Sequence, residues 1–364
     1  MLFSRKIVKN LTVIAPLSLS VLLGLNACQS ESQSRVSLKG AGATLPAPLY
    51  TTWFDRYESE TSGVQIDYEA VGSGDGVQQF IDQDVDFAAT DAPLTSTERA
   101  QLDAGRGQVI QIPTVGISIV MAYNLPGVDE LALSRDAYCG IITGDVTQWN
   151  DAAIAETNPD VILPNLPITF VHRADSSGTT YIFTNHLDEA CPQWTAGVGK
   201  MVDWAVGTEA PGNLGMTAFI QQTEGAIGYV GFTHAEQAAL PMASLENKSG
   251  FFIEPSPNSS ERATVVSHVP EDMVIDLPDP ANVDAYPIIG LTYLLMYETY
   301  SSTETAQALH QMVQWSMSDG RAIADLLGYA PLSPELSESV EAVLDQQATQ
   351  EAQSHKPVNI VSIY

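Results

Sequence analysis

The sequence predicts an α/β fold divided between two domains. Its 364 residues are enough for two hydrophobic cores. α/β proteins typically repeat one pattern. It consists of an apolar, β-branched run for a strand, then a turn of small residues, then apolar residues at helical spacing. This pattern occurs at residues 36–57, 64–81 and 168–187. Extended apolar runs near Thr114 and Tyr286 are the predicted crossings between the two domains.

The first unit begins with a strand at residues 36–39 and continues through a glycine-rich turn to a helix. Thr44 lies in that turn, where its hydroxyl and nearby backbone N–H groups can bind an anion at the helix start. A dinucleotide-binding interpretation is weak because Leu45 stands where the third glycine of that fingerprint belongs. The alternative is a helix entry that Pro48 begins, with no ligand.

The second unit repeats this arrangement, with a strand at residues 64–71, Ser73 in the turn and a helix at 77–81. The next strand, residues 85–90, ends at Asp91. Ligands of open α/β sheets bind outside the carboxyl ends of the strands, so Ser73 and Asp91 are candidate site residues. The alternative for Asp91 is an ordinary turn or cap residue.

The unit at residues 168–187 predicts an anion-binding helix start. Ser177, Gly178 and Thr179 occupy its first turn, where backbone N–H groups have no intrahelical partner. Gly178 lacks the side chain that would hold an anion away, and the two hydroxyls add donors. The alternative is a helix that Ser177 caps without binding a ligand.

Arg173 precedes this turn and carries a planar group of donors that matches tetrahedral oxyanions. Asp175, two residues later, can accept hydrogen bonds from the guanidinium and hold it in one orientation. With Thr44, Ser73 and Asp91, this unit forms a candidate anion site in which three segments donate and one carboxylate accepts.

The rest of the chain predicts further elements. They are helices at 135–143, 216–223, 303–317, 320–327 and 334–350, strands at 108–114, 117–123 and 226–230, and an irregular excursion at 244–284.

Residues 1–27 read as a targeting segment, with a basic start and an apolar core too short to span a membrane. The segment ends in Leu-Asn-Ala before Cys28, which resembles a lipobox and predicts a lipid on Cys28, with residues 28–35 as a polar tether and a periplasmic or cell-surface location. The alternative is a simple cleaved signal. Cys139 and Cys191 are a candidate disulfide in an exported protein, but sequence does not give their separation.

The formal net charge of −29 argues against nucleic acid as a partner, because phosphate backbones require clusters of Lys and Arg. It also argues against electrostatic binding to anionic lipid. A small anion is not excluded, since a few desolvated hydrogen bonds outweigh a screened surface field.

Motifs of enzymes and cofactor-binding proteins are missing from the sequence. The His residues show no zinc spacing, and neither a P-loop nor Gly-x-Ser-x-Gly occurs, so we expect no metal and no cofactor. Ser177 as a nucleophile would need a base. His172 is adjacent to Arg173 on one strand, so the two side chains should point to opposite faces, which weakens a hydrolase interpretation.

A lone carboxylate among anion donors indicates which anion the site takes. Phosphate near neutral pH keeps at least one proton, which needs an acceptor, whereas sulfate has none and would be repelled by Asp91. A site that pairs a ligand O–H can reject the analogue lacking it by ~10⁴–10⁵. The composition of the site therefore favours phosphate.

The same residues resemble the periplasmic phosphate-binding proteins of bacterial ABC phosphate importers, within the type II periplasmic binding proteins. The matching segments are residues 38–50, 85–94, 173–179 and 225–229, with Lys356, Pro357 and terminal Tyr364. The resemblance implies two mixed sheets flanked by helices and joined by two hinge crossings. Residues 36–114 with 286–364 would form domain I, and residues 115–285 domain II.

The resemblance also implies a monomeric receptor that performs no chemistry and delivers inorganic phosphate to the permease subunits of an ABC transporter. The implied ligand contacts are Thr44, Leu45 through its N–H, Ser73, Asp91 as acceptor of the phosphate proton, Arg173, Ser177, Gly178 and Thr179, with Asp175 supporting Arg173.

Two positions depart from the family pattern: Leu45 replaces an aromatic residue, and Asp75 places a second carboxylate beside the site. The alternatives are a phosphatase or phosphoryl-transfer enzyme on the same site, a receptor for sulfate or another oxyanion, and, more weakly, a sensory or adhesive protein.

Overall fold

Strands and helices alternate along most of the chain. The computed structural model describes residues 35–264 and 268–354. The strands are β1 (Val36–Gly42), β2 (Val64–Glu69), β3 (Phe87–Thr90), β4 (Val109–Tyr123), β5 (Ala132–Leu133), β6 (Thr169–Arg173), β7 (Thr208–Ala210), β8 (Ala226–Gly231), β9 (Ser244–Glu246), β10 (Phe252–Ile253) and β11 (Ile289–Tyr297). The helices are α1 (Ala47–Glu60), α2 (Ser73–Ile81), α3 (Ser96–Gln101), α4 (Arg135–Thr143), α5 (Ala152–Ala155), α6 (Gly178–Ala190), α7 (Gly212–Gln222), α8 (Phe232–Gln237), α9 (Pro257–Ala263), α10 (Thr303–Met317), α11 (Arg321–Leu326) and α12 (Pro334–Ser354).

Within the described residues, eight strands form one mixed sheet in the order β2-β1-β3-β11-β4-β8-β6-β7. β1 is parallel to β2 and β3, and β6 is parallel to β7 and β8, while β4 and β11 run antiparallel between these two groups. A smaller sheet has the order β10-β9-β5. The predicted α/β class is confirmed, and the two predicted sheets are the two halves of the larger one.

Strand β4 joins the halves because it changes partner along its length. It pairs with β11 up to Ser118 and with β8 from Ile119 onward. The sequence predicted two strands with a break at residues 115–116, and this was wrong. Val115 and Gly116 are buried and pair with Thr292 and Leu291 of β11, and a register shift at the neighbouring Thr114 does not interrupt the strand.

The helix stripes predicted for the first unit pack into the core. In α1, the buried residues recur at helical spacing; they are Leu49, Tyr50, Trp53, Phe54 and Tyr57. The Nε1–H of Trp53 donates to the Gly320 carbonyl at 2.7 Å, which ties α1 to the C-terminal helices. This packing fixes the turn that precedes α1.

Other predictions have mixed outcomes. The helices predicted at 135–143 and 303–317 are confirmed as α4 and α10, whereas the excursion at 244–284 contains β9, β10 and α9 and is less irregular than expected. Cys139 and Cys191 form a disulfide with Cα atoms 5.6 Å apart.

The predictions for the N-terminal segment concern residues outside the described range. They concern the targeting segment 1–27, Cys28 and all but the last residue of the tether; the matching C-terminal residues 356–364 also lie outside. Among the helices that the structure describes, none combines the length and the apolar character needed to cross a bilayer.

Candidate anion-binding site

The two halves of the sheet bring the predicted site residues together. The turns after the parallel strands β1, β2 and β3 leave the same edge and carry Thr44, Ser73 and Asp91. Arg173 ends β6 in the other half, and the turn after β7 leads to Asn213 in α7. A hydrogen bond of 2.9 Å from Asn213 Nδ2 to Thr44 Oγ1 shows that the two edges meet.

Ser73, Asp91 and Gly178 are in close contact. The Asp91 backbone N–H donates to Ser73 Oγ at 3.3 Å. A Cβ added to Gly178 would lie 2.7 Å from an Asp91 carboxylate oxygen and would also collide with Ser73 Oγ. Only glycine therefore allows the start of α6 to approach these two side chains.

Arg173 is held by three hydrogen bonds to two residues. Its Nε donates to Asp175 Oδ1 at 2.8 Å, its Nη2 donates to Asp175 Oδ2, and its Nη1 donates to Thr179 Oγ1 at 3.1 Å. Asp175 Oδ1 also accepts from the Gly212 N–H at 2.9 Å. The Arg173 side chain is 1% exposed, so its orientation is set by the protein rather than by water.

Ser177 caps α6, as the capping alternative predicted. Its Oγ accepts from the Thr180 N–H at 3.1 Å, and its own backbone N–H donates to the Lys200 carbonyl at 2.8 Å. The hydroxyl hydrogen of Ser177 remains for a ligand. Capping and ligand binding are therefore compatible at this residue.

The two positions that depart from the family pattern are both accommodated. The Leu45 side chain is fully buried, and the Leu45 carbonyl accepts from the Tyr329 hydroxyl at 3.1 Å. Asp75 is exposed in the first turn of α2. Its carboxylate is therefore solvated and is not part of the buried site.

Sequence reasoning missed two residues that contact the site side chains. Thr292 in β11 donates from Oγ1 to Asp91 Oδ1 at 2.8 Å. Asn213 contacts both Thr44 and Thr179 through Nδ2. Neither residue has a local signal, since Thr292 lies in an apolar strand and Asn213 in a stretch marked only by glycines.

Burial controls the electrostatics of the site. It raises the pKa of Asp91 to about 7, against the opposing effects of the Thr292 hydrogen bond and the Arg173 charge. Burial also acts to raise the pKa of Asp175, but hydrogen bonds from Arg173 outweigh it and hold that pKa below its usual value. Burial and the nearby Arg173 charge lower the pKa of His234 to about 4, so this imidazole is neutral at pH 7.

Among the described residues, no hydrogen bond joins a histidine to Ser177. The His172 ring stacks on Trp204 with centroids 5.2 Å apart, away from the guanidinium of Arg173. In the part of the chain that the structure describes, no group of three or more His, Cys, Asp or Glu residues is placed to hold a metal ion. The arrangement provides several donors and one carboxylate acceptor, which suits binding of a partly protonated oxyanion.

Comparison with known proteins places this geometry in a class. Residues 29–320 match the model of a PBP superfamily domain. The phosphate-binding protein PstS of Pasteurella multocida is 33% identical over 330 residues, covering 89% of this chain and 93% of that protein. PstS of Haemophilus influenzae is 34% identical over 312 residues, covering 84% and 92%. The chain belongs to the PstS family of phosphate-binding proteins, which confirms the resemblance drawn from the sequence.

Solved structures confirm the fold. The high-affinity periplasmic phosphate-binding protein PfluDING, determined with phosphate bound, superimposes with a TM-score of 0.73 at 24% identity, covering 84% of this chain and 93% of that one. A human phosphate-binding apolipoprotein superimposes with a TM-score of 0.71 at 24% identity, covering the same shares.

Proposed function

We propose that the chain is an extracytoplasmic receptor that captures inorganic phosphate and delivers it to an ABC transporter permease. The proposed contacts are those that the sequence predicted: Thr44, Leu45, Ser73, Asp91, Arg173, Ser177, Gly178 and Thr179, with Asp175 orienting Arg173. The named PstS relatives support phosphate as the ligand, since they cover most of this chain.

The observation that carries the proposal is one buried carboxylate surrounded by donors. Asp91 is 3% exposed, and burial raises its pKa only to about 7, so its ionised carboxylate is available as an acceptor at and above neutral pH. Arg173 and the first turn of α6 supply the donors. An oxyanion that carries unprotonated oxygens as well as one O–H satisfies the donors and the Asp91 carboxylate together. Phosphate is such an anion.

We also propose that binding closes the two predicted domains, residues 36–114 with 286–364 and residues 115–285, around the ligand. Hydrogen bonds between the halves support this. Besides Asn213 to Thr44, the Gly74 N–H donates to the Ser176 carbonyl at 2.9 Å. The change of partner in β4 supplies a crossing between the halves a few residues beyond the predicted boundary.

The receptor is proposed to act as a monomer without catalysing a reaction, and to be held at the membrane by a lipid on Cys28. The names of the relatives, which are binding proteins, support a binding role, as does the stacking of the His172 ring on Trp204 rather than a contact with Ser177. Mass spectrometry of the protein extracted from membranes tests the proposed anchor. The expected result is an N-terminal Cys28 that carries a lipid.

Titration calorimetry with phosphate and with sulfate tests the ligand. The wild-type chain should bind phosphate at least ~10³-fold more tightly than sulfate, because sulfate leaves Asp91 without a proton to accept. In Asp91→Asn, this preference should shrink by at least about tenfold, since the amide no longer repels an unprotonated oxygen.

Asp75→Asn is the matched control, because it removes a nearby carboxylate that is exposed. It should keep both the phosphate affinity and the preference over sulfate. Equal binding of the two anions by the wild-type chain, or no phosphate binding at all, would reject the proposed function.

A further inference from the structure

Asn213 is a buried amide that joins both halves of the site without having been predicted from the sequence. It is fully buried at the start of α7. Its Nδ2 lies 2.9 Å from Thr44 Oγ1 in one half and 3.2 Å from Thr179 Oγ1 in the other. One side-chain nitrogen therefore contacts two of the hydroxyls proposed to bind the ligand.

The orientation of this amide follows from its third partner. The backbone N–H of Gly231 points at Oδ1 of Asn213 at 3.0 Å. A backbone N–H can only donate, so the atom that faces it must be the amide oxygen. The NH₂ group is therefore on the side of the two threonines, and it can only donate to them.

The threonine hydroxyls are consequently left with only one role. Thr44 Oγ1 accepts from Nδ2 of Asn213 and also from its backbone N–H, at 3.3 Å. Thr179 Oγ1 accepts from Nδ2 and from Nη1 of Arg173, at 3.1 Å. A hydroxyl has two acceptor positions and one hydrogen. With both acceptor positions filled, each hydroxyl can interact with a ligand only by donating.

We propose that Asn213 is a positioning residue that makes the hydroxyls of Thr44 and Thr179 obligate donors. The inference rests on the proposed function and deepens it. Ligand oxygens that face these two residues must be unprotonated, so the O–H of a bound phosphate is directed to the remaining acceptor, Asp91. Selection by protonation state is then divided between Asn213 on one side and Asp91 on the other.

A double-mutant cycle separates this role from simple support of the fold. Calorimetry with inorganic phosphate compares wild type, Asn213→Ala, the pair Thr44→Val with Thr179→Val, and all three changes together. Asn213→Ala should weaken binding about tenfold in the wild-type background, because the freed hydroxyls lose their fixed orientation. In the valine background the same change should alter affinity less than about twofold, since no hydroxyl remains to be oriented.

Asn247→Ala is the matched control for removal of a buried amide. Asn247 is 1% exposed, and its Nδ2 donates to the backbone carbonyls of Val283 and Ala285 rather than to the site. This variant should lower the thermal unfolding midpoint and leave phosphate affinity unchanged. Loss of affinity in Asn247→Ala equal to that in Asn213→Ala would overturn the inference.

Asn213→Asp covers the case in which the alanine variant does not fold. It keeps an oxygen for the Gly231 N–H but replaces the donor that faces Thr44 and Thr179 by an acceptor. Phosphate affinity should fall by at least about 100-fold, and unchanged affinity in the folded variant overturns the inference. So does an equal loss from Asn213→Ala in both backgrounds. A wild-type chain that does not bind phosphate would reject the proposed function and the inference together, whereas additive effects in a binding chain reject the inference alone.

Discussion

Two arginine–aspartate pairs lie in different regions of the molecule and use the guanidinium differently. In the candidate site, Asp175 binds the side of Arg173, through Nε and Nη2. Where residues 276–279 pack against α4 and α6, Asp279 binds the end of Arg135, through Nη1 at 3.0 Å and Nη2 at 2.8 Å. Side-on pairing leaves the end of the guanidinium directed elsewhere, and end-on pairing occupies it.

The two arginine side chains also differ in their exposure to solvent. The Arg135 side chain is 22% exposed, so water can satisfy its remaining N–H groups. The Arg173 side chain is 1% exposed. After its bonds to Asp175 and Thr179, two of its five N–H groups have no protein acceptor within the described part of the chain. We infer that the buried Arg173, with its unpaired donors, is a ligand contact, whereas the bidentate and partly solvated pair of Arg135 is a structural contact.

Arg173→Ala tests the comparison with the largest expected effect. Removing the guanidinium should weaken phosphate binding about 1,000-fold, because truncating one member of a buried charge pair costs roughly 4 kcal/mol. Calorimetry measures the affinity, and thermal unfolding confirms that the variant folds. A folded Arg173→Ala that binds phosphate like wild type would show that Arg173, like Arg135, has only a structural role.

Asp91 differs from Asp175 and Asp279 because, among the residues described, no arginine pairs with it through two nitrogens, so its ionisation should make the unfolding free energy depend on pH. Its pKa is about 7 in the folded chain against 3.8 for a free side chain. Between these values Asp91 binds more protons in the folded state than in the unfolded state, so its contribution to the unfolding free energy of the ligand-free chain should fall as the pH rises from 4 to 7. The Asp91 contribution is at most about 4 kcal/mol.

Denaturant titrations of wild type and Asp91→Asn at several pH values isolate this contribution. The unfolding free energy of wild type minus that of Asp91→Asn should decrease as the pH rises from 4 to 7 and level off above pH 7. A difference that is independent of pH would show that the folded chain keeps Asp91 ionised throughout.

Arg135→Ala should affect stability rather than binding. It leaves the Asp279 side chain, 2% exposed, without its bidentate partner, which should lower the unfolding free energy by about 3 kcal/mol. Phosphate affinity, measured on the folded variant, should stay within about twofold of wild type, because Arg135 does not contact the site. A large loss of affinity would mean that the two regions are coupled.

Disrupting the ion pair of Lys200 with Glu98 should cost less free energy than any of the other three changes. It joins the two predicted domains, and its side chains are 12% and 18% exposed. Lys200→Met should weaken phosphate binding about threefold, since a partly solvated pair contributes up to about 1 kcal/mol to closure. High salt should reduce the difference from wild type, whereas a salt-independent difference would argue against an electrostatic contribution.

The fold was predictable where local pattern decides it. The helix predicted near Arg135–Thr143 was found there, and in the structure Ser134 caps it and Gly144 ends it in the left-handed conformation. The continuity of β4 was not predictable, because a buried Val115–Gly116 step looks the same in one strand as between two. Whether Cys139 and Cys191 pair depended on a distance that only the fold supplies.

The candidate site was predictable to the extent that its residues follow strands in short turns. Arg173 and Asp175 are two residues apart, so their contact is a local property. Asn213 and Thr292 contact site residues 169 and 201 positions away. Neither carries a charge or motif that would identify it, so only the packing of the two halves reveals them.

The sharing of β4 by both halves of the sheet has a consequence for dissecting the molecule. Ser118 and Ile119 are consecutive, yet one pairs toward β11 and the other toward β8. A fragment that ends between them would expose the unpaired edge of one of those strands, and such edges promote aggregation. Neither half is therefore expected to be soluble when expressed by itself, and residues 36–297 are the smallest continuous piece in which every central strand of the larger sheet has two neighbours.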